Sequence, residues 1–447
     1  MYSRMLFTSE NQAMTMRSSN QMIHGTLLSD SYPFPKLIAF YLTQFHPTPE
    51  NDLWWGKGFT EWTNVTKAEP LFEGHRQPHL PSDFGFYDLR VRETRHDQIR
   101  TAKQYGVDGF CYYYYWFSGK RILHLPLDDM LADPESDMPF CLCWANENWT
   151  RRWDAANHDV LIAQKYLPDD DVNFIKSLVP FFEDKRYIRL DGKPFLIVYR
   201  PQHLPDARKS VENWRDYCRL NKLGEIHVCA ALTHGNEDYA QFGFDSGVEF
   251  PPHNLSPGRV NGFMAFRNHF RGHVFQYASI AQSYLDRVYS SSRVYRTVFP
   301  SWDNTARRKE HALIVLNGVP ENYEYWLSST IDKVKQTRGC DEFVFINAWN
   351  EWAEGCHLEP DLWYGHKFLQ ATHDAKNGIR RYSNFPAAGL PKHESDTSRT
   401  FMKDLRDTFA YHGMLAVSKM QSALEQRPGL LKILLPLIRV VRYFKAK

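Results

Sequence analysis

Several things the 447-residue chain lacks narrow its class before any motif is read. Its 54 basic and 52 acidic residues leave a formal net charge of only +2, so no global field draws it to nucleic acid. Its seven cysteines include no C-x-x-C pair, and an odd number without paired spacing gives no disulfide framework. Cys111, Cys141 and Cys143 lie inside apolar runs, where free thiols pack as small hydrophobes. That usage fits a reducing, cytoplasmic setting. No uninterrupted apolar run reaches the roughly 18 residues that a membrane-spanning helix needs. No glycine-rich phosphate loop of the GxGxxG or GxxxxGK type follows any strand-like run. None of the 19 histidines sits in an HExxH or similar spacing, so the expectation is that no metal and no cofactor takes part.

What is present is apolar and aromatic. The hydrophobic fraction is 43%, ample for a large core, and aromatics make up 15%, with 13 Trp and 24 Tyr. Many of these rings stand among polar residues, which suits stacking on the flat apolar faces of sugars as well as ordinary core packing. Residues 1–35 are rich in Ser, Met, Asn and Thr and lack the apolar stretch of a signal peptide, so they read as a disordered leader. At Lys36 the composition changes. Apolar, β-branched or aromatic runs at 37–46, 109–117, 139–145, 192–199, 226–232, 244–250, 294–299 and 343–346 read as buried strands. Stretches 89–105, 122–131, 171–182, 211–220 and 323–335 read as helices between them. The segment 254–292 fits no compact strand-to-helix connection and is expected to be an insertion over one end.

Strand followed by helix, repeated about eight times, predicts an α/β fold of the (β/α)8 TIM-barrel type over residues 36–380, with mouth insertions. The competing architecture is an open, doubly wound sheet, which the missing phosphate loop disfavours. Residues 381–399 read as a linker and 400–447 as a helical extension. Its tail, 429–447, sets Lys432, Arg439, Arg442, Lys445 and Lys447 beside Leu, Ile and Phe. Such a tail suits either packing on the barrel or peripheral contact with the anionic face of an inner membrane.

In a parallel barrel the chemistry sits beyond the carboxyl ends of the strands. The last apolar run ends in Asn350-Glu351-Trp352-Ala353-Glu354-Gly355. Two carboxylates in one water-poor cleft can be driven to different pKa values, and glycosidic bond cleavage needs one carboxyl as acid and another as base or nucleophile. Glu351 and Glu354 are therefore the catalytic candidates, against the blander reading of a solvated acidic loop. Candidate glycan contacts gather at the other strand ends. They are Tyr41, His46, Trp55 and Trp62, then Tyr113 and Trp116, then Trp144, Asn146, Glu147 and Trp153. Glu249, His253, Trp302, Asp303, Asn350 and Trp352 complete them. One or two of the acidic residues among them are expected to be structural, paired with Arg151 or Arg152. The run Asp169-Asp170-Asp171, just before a helix, reads as an N-terminal cap rather than a metal motif.

The runs from Gln44 to Val65, Gly109 to Tyr113, Cys143 to Trp153, Val248 to His253 and Asn350 to Gly355 resemble the WbsX family over roughly residues 36–375. Members of that family are described as glycosyltransferases of lipopolysaccharide or O-antigen biosynthesis, and it is similar to glycoside hydrolase family 99. The resemblance implies a retaining reaction on a glycan substrate. Glu351 would act as base on the sugar's own 2-hydroxyl, which attacks C1 to give a 1,2-anhydro sugar, and Glu354 would be the general acid. Ala353 stands where the hydrolases carry a larger polar residue, and Tyr114 where some relatives carry His. Three functions stay open at this level. They are cleavage or transfer at a glycosidic bond of a bacterial surface polysaccharide, transfer from a nucleotide- or lipid-linked sugar, and glycan binding without catalysis.

Overall fold

The apolar runs form the strands of a closed ring. The computed structural model describes residues 34–150, 160–266, 270–289, 293–338 and 342–386. The leader, most of the linker, the extension with its basic tail, and Arg151, Arg152 and Trp153 lie outside the described residues. The ring strands are β1 (Lys36–Tyr41), β2 (Gly109–Phe117), β3 (Phe140–Trp144) and β4 (Lys193–Val198). They continue with β5 (His227–Leu232), β6 (Ser246–Glu249), β7 (Val294–Val298) and β8 (Phe343–Ile346). Each pairs in parallel with the next. β8 closes on β1 in the register Lys36↔Phe343 to Ala39↔Ile346. This closure makes the fold a (β/α)8 barrel and excludes the open sheet.

Alternation along the strands divides the core in two. Inward-facing rings fill the lumen: Phe345 lies 5.6 Å from Phe40 and 6.1 Å from Phe195 by ring centroid, and Tyr295 lies 5.7 Å from Phe343. The barrel is thus plugged below its mouth, as these barrels are. Outward-facing rings meet the helices. Trp144 stacks on Phe174 at 4.0 Å, and Trp116 meets the same ring at 5.5 Å.

Among the described residues the outer layer contains α1 (Arg92–Gln104), α2 (Leu125–Ala132), α3 (Asp170–Phe182) and α4 (Ala207–Leu220). It also contains α5 (Tyr277–Asp286), α6 (Pro320–Arg338) and α7 (Lys367–Lys376). None of them is long and apolar enough to cross a membrane. At the start of α3 the Asp170 carboxylate accepts from the Leu167 amide at 2.8 Å, a local turn bond of the kind acidic residues make at helix starts.

The segment 254–292 differs from expectation. Instead of forming only a cover, it supplies α5, which packs on α6 in the outer ring. It also supplies a short strand, His273–Gln276, parallel to Leu313–Leu316, which in turn takes Trp302–Asp303 antiparallel. The apolar residues of this segment were too interrupted by His, Arg and Asn to read as periodic. The small sheet they build stands at the end of β7 and anchors the Trp302–Asp303 strand there.

Candidate active site

Beyond β8, Asn350–Glu351 pairs antiparallel with Cys356–His357 and brackets a single 3₁₀ turn, Trp352–Glu354. Glu351 caps this turn and Glu354 ends it, and both project to the same side, while the Trp352 ring goes into the core. Gly355 makes the turn feasible: its φ is +56°, and a Cβ there would lie 2.9 Å from the Asp303 carbonyl oxygen. Glycine alone meets both conditions without strain. Asn350 accepts from the Leu42 amide at 2.8 Å and donates to the Leu42 carbonyl at 3.0 Å, so it fastens the turn to the end of β1. Trp352 donates from Nε1 to Glu359 at 2.6 Å and stacks on His357 at 3.8 Å. Asn350 and Trp352, expected to touch glycan, are buried scaffolding.

The carboxylates converge on one guanidinium. Arg307 lies near the end of the short helix Thr305–Arg308, just after Asp303. Its Nη2 lies 2.9 Å from Glu351 Oε2, and its Nη1 lies 2.7 Å from Glu354 Oε1. Its Nε and Nη2 also reach Glu61 Oε1, at 2.9 and 2.5 Å. Glu61 opens the helix Glu61–Val65 and is fully buried. Three carboxylates thus share one cation in a place nearly closed to water. Burial pushes the Glu351 carboxyl up to about 8; Arg307 works against that rise, and the charges of Glu354 and Glu61 add to it. Burial raises Glu354 as well, against Arg307. Burial acts to lower the Arg307 pKa, but the three glutamates outweigh it and hold the guanidinium well above its usual range. Burial in this cluster thus favours the neutral form of Glu351.

Around this centre stand tyrosines and histidines. Burial first, and then the Glu351 charge, raise the phenols of Tyr113 and Tyr115. Tyr199 is raised by burial, with Glu147 and Glu354 adding to it, and its hydroxyl lies 2.9 Å from His253 Nε2. Burial, followed by Arg200, takes His253 down to about 4, and its ring lies 4.5 Å from that of His234. Glu147 pairs with Arg200, while Arg151 and Arg152, the partners expected for it, lie outside the described residues. Trp149 meets Trp54 at 5.7 Å and Tyr115 at 5.3 Å, edge to face, while the half-buried Trp55 lies against Phe59.

Other expected contacts are placed elsewhere. Tyr41 faces outward and donates to Gln98 of α1, and Trp116 and Trp144 face α3, because each falls on the outward parity of its strand. Tyr114 shares that parity and bonds Ser177, so it lies outside the mouth. Glu249 also points into the helix layer, 2.7 Å from Arg296 and 2.9 Å from the Tyr289 hydroxyl. Asn146 is buried and ties its loop to Arg200, accepting from the amide at 2.7 Å and donating to the carbonyl at 2.8 Å. Trp62 donates to the Tyr87 carbonyl at 2.9 Å, and His46 is held 3.1 Å from the Thr43 carbonyl. Trp302 is buried beside Phe299. Asp303 is held by His75 at 2.5 Å and by the Thr305 amide and hydroxyl; burial would raise its carboxyl, but these partners keep it below its usual value.

Reading the sequence missed Arg307, Glu61, Tyr115, Tyr199 and Arg200. A charge argument could have found Arg307: two carboxylates placed against an apolar strand require a nearby cation, and Arg307-Arg308 comes soon after Trp302-Asp303. An open depression of about 510 Å³ lined by Ser256, Gln282, Asp286 and Phe385 lies against α5, away from this cluster. Chemistry rather than volume therefore marks the site.

A family model described as Glycosyltransferase WbsX matches residues 37–372. The chain belongs to the WbsX family. It is 45% identical over 352 residues to a protein of Xanthomonas campestris pv. campestris (strain B100) described as "Uncharacterized protein WxcX". That match takes in 78% of this chain and 50% of the Xanthomonas protein. The counterpart in a second strain is likewise 45% identical, over 341 residues, 76% of this chain and 49% of the counterpart. The chain thus spans about half the length of the curated relatives it matches. Among solved structures, this WbsX-family chain is similar to the GH99 endo-alpha-mannosidase from Bacteroides thetaiotaomicron, with 16% identity and a TM-score of 0.46 over 77% of this chain and 97% of that one. It is also similar to GH5_18 from Streptomyces cattleya, with 11% identity and a TM-score of 0.42 over 79% of this chain and 83% of that one.

Proposed function

We propose that this WbsX-family chain is a carbohydrate-active enzyme that breaks or re-forms a glycosidic bond of a bacterial surface polysaccharide. The observation that carries the reading is the 3₁₀ turn that aims Glu351 and Glu354 at adjacent nitrogens of one buried guanidinium. Paired carboxyls at a barrel mouth supply the acid and the base that this reaction class needs. Glu351, once it has lost its proton, takes the proton of the sugar 2-hydroxyl as that oxygen attacks C1. Glu354 protonates the departing oxygen, and then, as a base, activates the water or acceptor hydroxyl that opens the 1,2-anhydro ring. Both outcomes retain the anomeric configuration, because C1 is displaced twice. Arg307 holds the two carboxyls in register, and the half-buried Trp54, Trp55 and Trp149 offer faces for neighbouring sugars.

The family description favours transfer as the outcome, and hydrolysis differs only in the second acceptor. The test uses the O-antigen repeat of the source organism, with and without an acceptor glycan, and candidate nucleotide- or lipid-linked donors, with products followed by mass spectrometry. Glu351→Gln and Glu354→Gln should each lower turnover by about 10²–10⁴, the usual worth of one acid–base group. Turnover within about tenfold of wild type in both variants would refute these roles. Release of nucleotide or lipid phosphate dependent on acceptor would assign the donor. Undiminished glycan binding by a wild type that turns over nothing would leave a binding protein.

A further inference from the structure

On the other face of Trp352 lies a polar cluster that the carboxylate chemistry does not use. His357, stacked on that ring, faces the Glu359 carbonyl with Nδ1 at 2.9 Å. This places the ring proton on Nδ1 and leaves the Nε2 lone pair directed inward. Nε2 lies 3.1 Å from Nδ1 of His79 and 3.9 Å from Oδ2 of Asp361. The other Asp361 oxygen, Oδ1, accepts from the amides of Trp363 and Tyr364 at 2.9 and 2.5 Å, which aims Oδ2 at the two rings. All three ligand atoms lie within 4.8 Å of one another, and His357 and Asp361 are buried.

We propose that His79, His357 and Asp361 form a binding site for a divalent transition-metal ion of zinc type. Two imidazole nitrogens and one carboxylate oxygen are a donor set that such ions take, with a position left over for water. Nitrogens 3.1 Å apart subtend about 98° at an ion with bonds of ~2.05 Å, between the tetrahedral and square angles. Ligands on one ion lie about 3.3 Å apart at the tetrahedral angle, so Asp361 turns inward by up to about 1.5 Å on binding. The backbone carbonyl behind His357 and the two amides behind Asp361 are the outer partners that orient metal ligands. The site joins two loops that already meet along their backbones, where the Leu362 amide donates to the Leu80 carbonyl at 2.9 Å and the Ser82 amide to the Pro360 carbonyl at 3.0 Å. Because His357 pairs with Asn350 across the short hairpin, an ion here staples the turn that carries Glu351 and Glu354 to the loop around His79. Sequence spacing hides the site, since His79 and His357 are 278 positions apart.

The experiment takes the full untagged chain, stripped with a chelator and returned to metal-free buffer, and titrates it with zinc alone and with cobalt(II). One equivalent of zinc should bind per chain by elemental analysis, cobalt should give a visible band of low-symmetry coordination, and zinc should raise the thermal midpoint. His79→Ala, which removes the least buried ligand and leaves the His357–Trp352 stack in place, should weaken binding at least tenfold, as should Asp361→Asn. His311→Ala, at an exposed histidine, should change nothing. Less than a tenth of an equivalent on the wild type, or equal binding by His79→Ala, would overturn the proposal and leave a simple histidine–histidine hydrogen bond.

Discussion

Replacing Arg307 with Met removes the guanidinium that bridges Glu61, Glu351 and Glu354 and keeps much of its volume. Three carboxyls would then share a buried space without their bridging cation, and breaking a buried ion pair from one side costs about 3–5 kcal/mol. The loss must depend on pH. A carboxyl whose folded pKa lies above its unfolded value of about 4.3 binds more protons in the folded state, so stability is full below that value and is lost as pH rises towards the folded pKa. Glu351 is already pushed up to about 8, and Glu354 is shifted the same way; without Arg307 both rise further. A carboxyl that the loss of Arg307 newly keeps neutral at pH 8 costs up to roughly 5 kcal/mol at about 1.36 kcal/mol per unit, but only about 1 kcal/mol at pH 5; Glu351, already raised in the wild type, adds little to the difference. Equilibrium urea unfolding of wild type and variant should therefore show a loss of about 3–5 kcal/mol at pH 8 that shrinks to about 1 kcal/mol at pH 5. An equal loss at both values, or a larger one at pH 5, would refute the claim that these carboxyls are buried together on Arg307.

Two further outcomes separate chemistry from scaffolding. If Glu351 is the base, kcat/KM should rise with pH through about 8, because the free enzyme must lose the Glu351 proton first; a profile that falls through that value would assign Glu351 the acid's part. Glu249→Gln, which breaks the pair with Arg296 in the helix layer, should destabilise by about 3–5 kcal/mol. It should leave kcat within about threefold of wild type at temperatures where the variant is folded, and a hundredfold loss of kcat there would return Glu249 to the mouth.

The barrel was legible in the sequence because its strands are short, apolar on both faces and separated by helical periodicity. β2 and β8 fall where the runs Gly109–Phe117 and Phe343–Ile346 put them. The two glutamates of the 3₁₀ turn were legible for a related reason, since polar residues directly after a buried strand have little to do but chemistry or capping. Less legible was which aromatic faces which way. Tyr113 and Tyr114 are neighbours in one run, yet one lines the lumen and the other bonds Ser177 of α3. In a strand apolar on both sides, parity carries no signal. Glu61 was invisible because its meeting with Arg307 depends on a fold that brings together residues 246 positions apart.

The same distances bear on how the protein is made. Asn350 reaches back 308 positions to Leu42, and β8 supplies the last edge that joins β1. A chain leaving the ribosome can thus present Glu61 and even Arg307 long before it has anything to catalyse with. On the proposed reading, the carboxylate pair is complete only once residue 354 has been made and β8 has closed the ring, so a truncated or half-folded copy is expected to be inert towards sugars rather than wrongly active.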